Sequence, residues 1–444
     1  MMLKLAFLLI GSKAFKSRWY VLSMLGGALI LAAAYLSLYA TDSVLLTVGQ
    51  AIGFFFVANG AAGLSAFLVQ DRRNRRYFPL IRAVGLIVIG ALILDWPIDT
   101  HIALGVLFAI AFAVDGTVRL ATALVVRFPG WRAMALCGAA ETVIAVLIFA
   151  EWPLPHNRSV AFCISLLVAL TGWLLVRVGF MFRTLESEVA ILNLPIFTGR
   201  GWYDNAPVLV ETGEEVAAEH PMIVHVWTPV GSASEPERRL LVDRYIAAVD
   251  GSGVISTGHS ALEMPPDLYI SHYPATELER SGRDFIAALR GTVENDLKGR
   301  FQPSYAYESD WWCPADAHVE FRNFNPMRLR SFWVGYRQDD TYNLTNRNCS
   351  VVVAHALDAA LEGSLTTRFP WLRLIGLLGN PDIWVASMIR TRAHSATWTP
   401  GLVLDYANAL ARVVEKREVA WSRRFSGFVR RLRAGATGKD EAAA

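Results

Sequence analysis

The sequence predicts two architectures in one chain: an all-α bundle of six membrane helices built from three repeated hairpins, followed by an α+β globular domain. Three observations predict it. Long apolar runs crowd the first 185 positions, basic residues alternate between the loops that join them, and mixed polar sequence takes over after Arg183. Of 444 residues, 54% are hydrophobic and 18% charged, against an ordinary charged share of about a quarter. A net charge of +3 is too near neutral to argue for a nucleic-acid partner. Four scattered cysteines, with no CxxC or Cys/His cluster, suggest neither a disulfide scaffold nor a metal site, and no cofactor is expected.

A helix crossing lipid needs about 20 apolar residues, since each contributes about 1.5 Å against a core of about 30 Å. Six segments qualify: 20–40, 44–69, 78–95, 101–126, 133–151 and 159–182. Lys13, Lys16 and Arg18 precede the first. Arg72, Arg73, Arg75 and Arg76 follow the second, Arg127 and Arg132 lie between the fourth and fifth, and Arg183 follows the sixth. The other loops carry Asp42, Asp95, Asp99 and Glu151 with the single arginine Arg158. Basic loops stay in the cytoplasm, so a multi-pass inner-membrane protein with both termini cytoplasmic is expected. The first apolar run has no small-residue cleavage site, so no signal peptide is expected.

The spans repeat. Gly60, Gly116 and Gly172 are each 56 residues apart, and Asp95-Trp96-Pro97 returns as Glu151-Trp152-Pro153 at the same interval. A fixed period marks one unit copied and packed against itself. Small residues at matching depths let helices approach. This pattern over residues 15–185 resembles the HdeD-like (DUF308-type) membrane proteins, which implies a fold and a link to acid or envelope stress; separately, a homo-oligomer through the bundle is an expected partner. Asp115, Arg119 and Glu141 are ionisable groups within the spans. Such groups are costly in lipid and often mark a pathway. Asp115 and Arg119, four apart on one helix face, are expected to neutralise each other.

Residues 186–220 read as a linker or peripheral segment, 221–400 as the α+β domain, 401–434 as a helix with a basic tail, and 435–444 as disordered. Met222–Trp227 reads as a buried strand, Glu237–Val249 as a helix, Val254–Met264 and Leu268–Tyr273 as β runs, and Arg283–Leu297 as a helix. A further helix starts at Cys349 and stops at Gly363. Phe369–Ile389 is apolar but broken by Arg373, Asn380, Pro381 and Asp382, so it is expected on the membrane surface or over the globular domain. Lys416–Arg433 combines aromatics with seven basic residues and suits an interfacial helix as well as a plain surface one.

Three segments of the globular half combine useful chemistry: Gly258-His259-Ser260-Ala261-Leu262, Tyr269-Ile270-Ser271-His272-Tyr273-Pro274, and Asn346-Arg347-Asn348-Cys349-Ser350. A thiol is a poor nucleophile until its pKa is lowered. A helix start does so, because unpaired N–H groups and the helix dipole favour negative charge there. The same groups can stabilise an oxyanion, with Asn348 and Ser350 as flanking candidates, and the polar neighbours suggest an exposed turn. A histidine takes the thiol proton and a third polar group fixes its tautomer. His259 fits as base and His272 as the orienting group, with Ser271 or Glu263 as alternatives in that role. His225 reads as a core histidine, His318 and His355 as surface or supporting groups, and Cys313 as packing.

The order histidine, polar residue, then cysteine at a helix start resembles the circularly permuted papain-like hydrolases, which include permuted NlpC/P60 and lecithin:retinol acyltransferase-like enzymes. The resemblance covers about 220–363 and implies Cys349 as nucleophile, His259 as base and His272 as third residue. It departs from the pattern in a long insertion between 275 and 340 that carries Trp311-Trp312-Cys313. The function expected is a membrane-anchored cysteine peptidase or isopeptidase. Alternatives are an acyltransferase or thioesterase on membrane-proximal acyl substrates, or a non-catalytic stress protein whose bundle carries the function. The expected partners are the lipid bilayer and a peptide or acyl substrate.

Overall fold

The structure is a computed structural model that describes residues 2–11, 13–39, 78–94, 101–127, 130–184, 219–229, 248–249, 255–276, 290–395 and 397–415, with scattered positions between 50 and 64. The N-terminal part is helical: α1 (Met2–Ile10), α2 (Trp19–Tyr39), α3 (Phe78–Ile93), α4 (His101–Val126), α5 (Trp131–Phe149) and α6 (His156–Thr184). Four of these, α2, α4, α5 and α6, contain stretches long and apolar enough to cross a membrane, which marks a membrane protein. Helix α3 has 16 residues, and most of the expected second span lies outside the described residues.

Glycines set the helix approaches. A Cβ on Gly172 of α6 would lie 2.6 Å from the Gly26 carbonyl oxygen of α2, and one on Gly116 of α4 would lie 2.7 Å from the Gly138 carbonyl oxygen of α5. Gly60 makes the same approach to α3, where its Cβ would lie 2.8 Å from the Ala83 carbonyl oxygen. Any side chain there would push the helices apart, which is why the 56-residue period falls on glycine.

The C-terminal part combines small antiparallel sheets with helices. Strands β1 (Met222–Trp227), β2 (His259–Met264), β3 (Leu268–Ile270) and β6 (Ala317–Phe321) form a sheet in the order β3-β2-β1-β6. Strands β4 (His272–Pro274), β5 (Leu297–Phe301) and β7 (Thr341–Tyr342) form a second, in the order β4-β5-β7. Helices α7 (Tyr305–Trp311), α8 (Pro326–Tyr336), α9 (Cys349–Leu361), α10 (Pro370–Leu378), α11 (Pro381–Ser395) and α12 (Pro400–Val414) complete it. The period-2 pattern of β1 divides its side chains between two layers. Val224 and Val226 join the main core with Leu262, Val319 and α9, while Trp227 joins Ala261, Tyr269 and Ala315 in a second cluster with Tyr305 of α7. Every residue of α9 is buried.

Two expectations change. Leu297 opens strand β5 rather than ending a helix, and residues 283–289 lie outside the described ones. Ala248–Val249 pairs with Ile255–Ser256 as a short ladder, while the rest of the expected helix from Glu237 lies outside the described residues.

The globular part is not built from C-terminal sequence alone. Leu5 through Ile10 of α1 are each buried within its core. The Gly363 and Leu365 N–H groups donate to the Leu8 and Leu9 carbonyls at 3.0 and 2.8 Å. At about 1.5–3 kcal/mol for each large apolar side chain, this burial contributes on the order of 10 kcal/mol before the cost of chain ordering is subtracted. Phe15 then packs between Phe182 at the end of α6 and Trp371 of α10, with ring centroids 6.2 and 5.2 Å apart. Helices and globular core meet there.

Candidate functional site

Cys349 is the first residue of α9. Asn348 caps the helix: its Oδ1 accepts from the Val351 N–H at 2.8 Å, and its Nδ2 donates to the carbonyls of Leu344 and Trp398 and to Thr397 Oγ1 at 2.7, 3.1 and 3.1 Å. The approach to this cap is equally built. Asn343 Oδ1 accepts from the N–H groups of Thr345 and Asn346, and the Arg347 guanidinium donates to the Thr341 and Tyr336 carbonyls while lying over the Tyr336 ring. The polar run was expected to be an exposed turn. Instead Asn343, Thr345, Asn348 and Ser350 are buried, because their side chains satisfy the backbone of a loop that dives into the core.

His259 opens β2 directly after Gly258. That glycine has φ +69°, in the left-handed region that favours glycine, and a Cβ there would collide with the Trp227 carbonyl oxygen. His259 is buried, and its ring stacks on Tyr273 at 4.1 Å and lies 5.4 Å from Trp227. Its Nε2 faces Ser271 Oγ at 3.0 Å and Glu308 Oε1 at 3.2 Å. Cys349 is the neighbour whose charge acts most strongly on this imidazole. Cys349 Sγ also lies 3.7 Å from Ser350 Oγ, which in turn bonds Ser260 Oγ at 3.1 Å.

The electrostatics follow from this cluster. Burial works against a charged imidazole, but Cys349 and then Glu308 outweigh it and raise His259 to about 9. Burial likewise raises the Cys349 thiol, but His259, Ser350 and the Ser260 backbone outweigh it, so the thiol sits below its ordinary value. Glu308 is held below the usual carboxylate range despite burial, by His259, Tyr269 and Ser271. Opposite charges at short range favour both charged forms. The arrangement favours the thiolate and imidazolium forms together, beside a buried carboxylate.

Glu308 is the residue that sequence reasoning missed. It is buried on α7, and both oxygens are used: Oε1 accepts from Ser271 Oγ at 3.1 Å and pairs with His259, and Oε2 accepts from the Tyr269 hydroxyl. Helix α7 is capped by Ser304, whose side chain accepts from the Tyr307 N–H. The available signal was a carboxylate in the aromatic run Tyr305-Ala306-Tyr307-Glu308, within what read as an insertion. His272, expected to orient the imidazole, bonds Tyr336 through Nδ1 at 3.0 Å and faces the Asp340 carbonyl at 3.3 Å. Burial, with Arg347 adding to it, holds His272 down near 4, so it stays neutral. The Asn348 side chain is fully engaged as a cap and Ser350 as a bridge to Ser260, so neither is free to meet an oxyanion.

The other residues singled out by sequence are positioned as follows. His225 lies 2.9 Å from His318 between ring nitrogens, pairs with Glu263 at 3.0 Å and stacks on Tyr305. The Cys313 carbonyl accepts from the Trp227 indole at 2.7 Å. His355 is buried on α9. In the bundle, Arg119 reaches Asp115 at 2.7 Å on its own helix and Glu141 on α5 at 3.0 Å. Among the described residues no group of His, Cys, Asp and Glu is arranged to hold a metal ion. Around His259, Trp312 stacks on Trp227 at 5.9 Å and Trp311 meets Tyr273 edge-on at 6.2 Å. Arg300 lies over Trp311. The two exposed indoles, Trp311 and Trp312, form an aromatic wall over the rings that hold His259.

No family model, no curated protein and no solved structure matches this chain. The reading of the site therefore rests on its geometry.

Proposed function

We propose that this chain belongs to the thiol enzymes that work through acyl transfer, with Cys349 as nucleophile, His259 as proton carrier and Glu308 as the group that orients and charges the imidazole. Within that class we read it as a membrane-anchored peptidase or isopeptidase with a permuted papain-like arrangement. The observation that carries the reading is the buried His259 imidazole: a buried carboxylate lies 3.2 Å from its Nε2, and the buried thiol at a helix start is the strongest influence favouring its charged form.

The chemistry follows from that pair. The Cys349 thiolate attacks the substrate carbonyl carbon, and the carbonyl electrons move to oxygen, where first-turn amides of α9 stabilise the charge. Collapse breaks the carbon–nitrogen bond as His259 gives its proton to the departing nitrogen, leaving a thioester on Cys349. A water then loses its proton to His259 and attacks the thioester. The carbon–sulfur bond breaks, the acid leaves and the thiolate returns. Glu308 and Ser271 hold the imidazole orientation through both halves.

A second reading is favoured by Phe15, Phe182 and Trp371, which join the globular core to the membrane helices. A site kept near a bilayer suits an acyltransferase or thioesterase on lipid-borne acyl groups. A thiol-directed activity probe tests the class, with labelling of the wild type and none of Cys349→Ala as the expected result. Equal labelling of both proteins would remove Cys349 from the mechanism. Turnover of peptide against acyl-lipid reporters by the full chain in nanodiscs then separates the two substrate classes.

For the bundle we propose six spans in three repeats, HdeD-like, with the termini on the basic, cytoplasmic face of an inner membrane. The glycine approaches of Gly60, Gly116 and Gly172 support a ring in which spans two and three, four and five, and six and one are the tight pairs.

A further inference from the structure

Helix α10 has two apolar faces. Leu374 and Leu377 are buried against the globular core, and Trp371 packs on Phe15. The opposite side carries Phe369, Leu372 and Ile375, which are 60, 69 and 67% exposed. The next helix continues that surface with Trp384 and with Met388, which is 68% exposed. A surface helix of a soluble domain puts polar residues on its outer side. Here the outer side is as apolar and as bare as the lipid-facing side of α2, where Leu31 is 72% exposed.

Position identifies what covers this surface. Trp371 meets Phe15, and Phe15 stacks on Phe182 in the last turn of α6, which ends at Thr184. Helix α10 is thereby joined to the end of a membrane helix. Lys13, Lys16, Arg18 and Arg183 mark that end of the bundle as the basic one. Arg368 lies over the Phe369 ring, so a cation flanks the apolar face where lipid headgroups would meet it. We propose that α10 and the start of α11 form an in-plane anchor, which buries Phe369, Leu372, Ile375, Trp384 and Met388 in the leaflet that the bundle's basic end faces. Trp371 and Phe15 join this helix to the end of α6, and the occupant of its exposed face is lipid. The inference rests on the membrane helices and is independent of the chemistry at Cys349.

The test is photocrosslinking of the full chain in nanodiscs of phosphatidylethanolamine and phosphatidylglycerol. p-Benzoylphenylalanine replaces Leu372, Ile375 or Met388 in turn, all exposed positions whose replacement leaves the core intact. Tyr307 on α7, across the sheet from α9, serves as the control position. Phospholipid adducts at the three sites should exceed those at Tyr307 by roughly five-fold or more, as an interfacial helix requires. Adducts no more frequent than at Tyr307, or adducts only to a second copy of the chain, would overturn the proposal.

Discussion

At the scale of single residues, the pair formed by Cys349 and His259 determines how the site responds to pH. The imidazole keeps its proton up to about 9, while the thiol loses its proton below its ordinary value. Hydrolysis should therefore follow a bell, whose alkaline limb falls near 9 as His259 can no longer protonate the leaving group. Such limbs belong to the pair as a whole. The same shift bears on stability. A folded value raised from 6.5 to about 9 contributes fully below 6.5 and is lost as pH rises through 9. Replacing Glu308 by Gln removes the carboxylate behind the imidazole and should lower kcat/KM by roughly 10²-fold or more, read with a turnover assay on the wild-type substrate. His272→Gln, by contrast, should leave the pH profile of thiol alkylation where the wild type has it, because His272 bonds Tyr336 and the Asp340 carbonyl. A displaced alkylation profile would return His272 to the catalytic group.

Among the elements, α1 has the largest consequence for its length. Nine residues are too few to cross a bilayer, and they serve instead as a core strip for the globular part, beneath the Gly363–Leu365 turn. Leu8→Ala should cost about 2–5 kcal/mol. The loss is read as faster hydrogen exchange along α9, the fully buried helix that carries Cys349. Unchanged exchange there would mean that α1 is dispensable to the core. Helix α9 also explains why the thiol is well positioned. Its cap is Asn348, held by Leu344, Thr397 and Trp398, so the proposed nucleophile sits on an element fixed from both the preceding loop and the approach to α12.

For the whole molecule, helix spacing is set by glycine. Gly172→Leu forces α6 off α2 and should destabilise the bundle by about 1–3 kcal/mol, measured as a lower melting temperature in detergent. Gly27→Leu on the same α2 should leave melting nearly unchanged, since a Cβ there meets nothing within 4 Å. Equal effects at both positions would argue against the close α2–α6 approach. The two parts of the chain are coupled at Phe15, where the last turn of α6 and Trp371 meet.

Features that depend on neighbours along the chain were legible before any folding. Span length and hydropathy identify the apolar helices, a 56-residue recurrence finds the glycines of the close approaches, and an apolar run stopped by Gly363 locates the helix that begins at Cys349. Features that depend on residues far apart in number became visible only once the chain had closed on itself. Glu308 read as one more carboxylate in an aromatic run until α7 brought it beside His259 on β2. His272 was the expected orienting group, but its ring turns to Tyr336 instead. Residues 5–10 gave no sign of being core to a domain more than 200 positions later. Local patterns record the cost of exposing backbone and apolar surface, which each segment meets alone, whereas a catalytic constellation is a set of contacts that only chain closure creates.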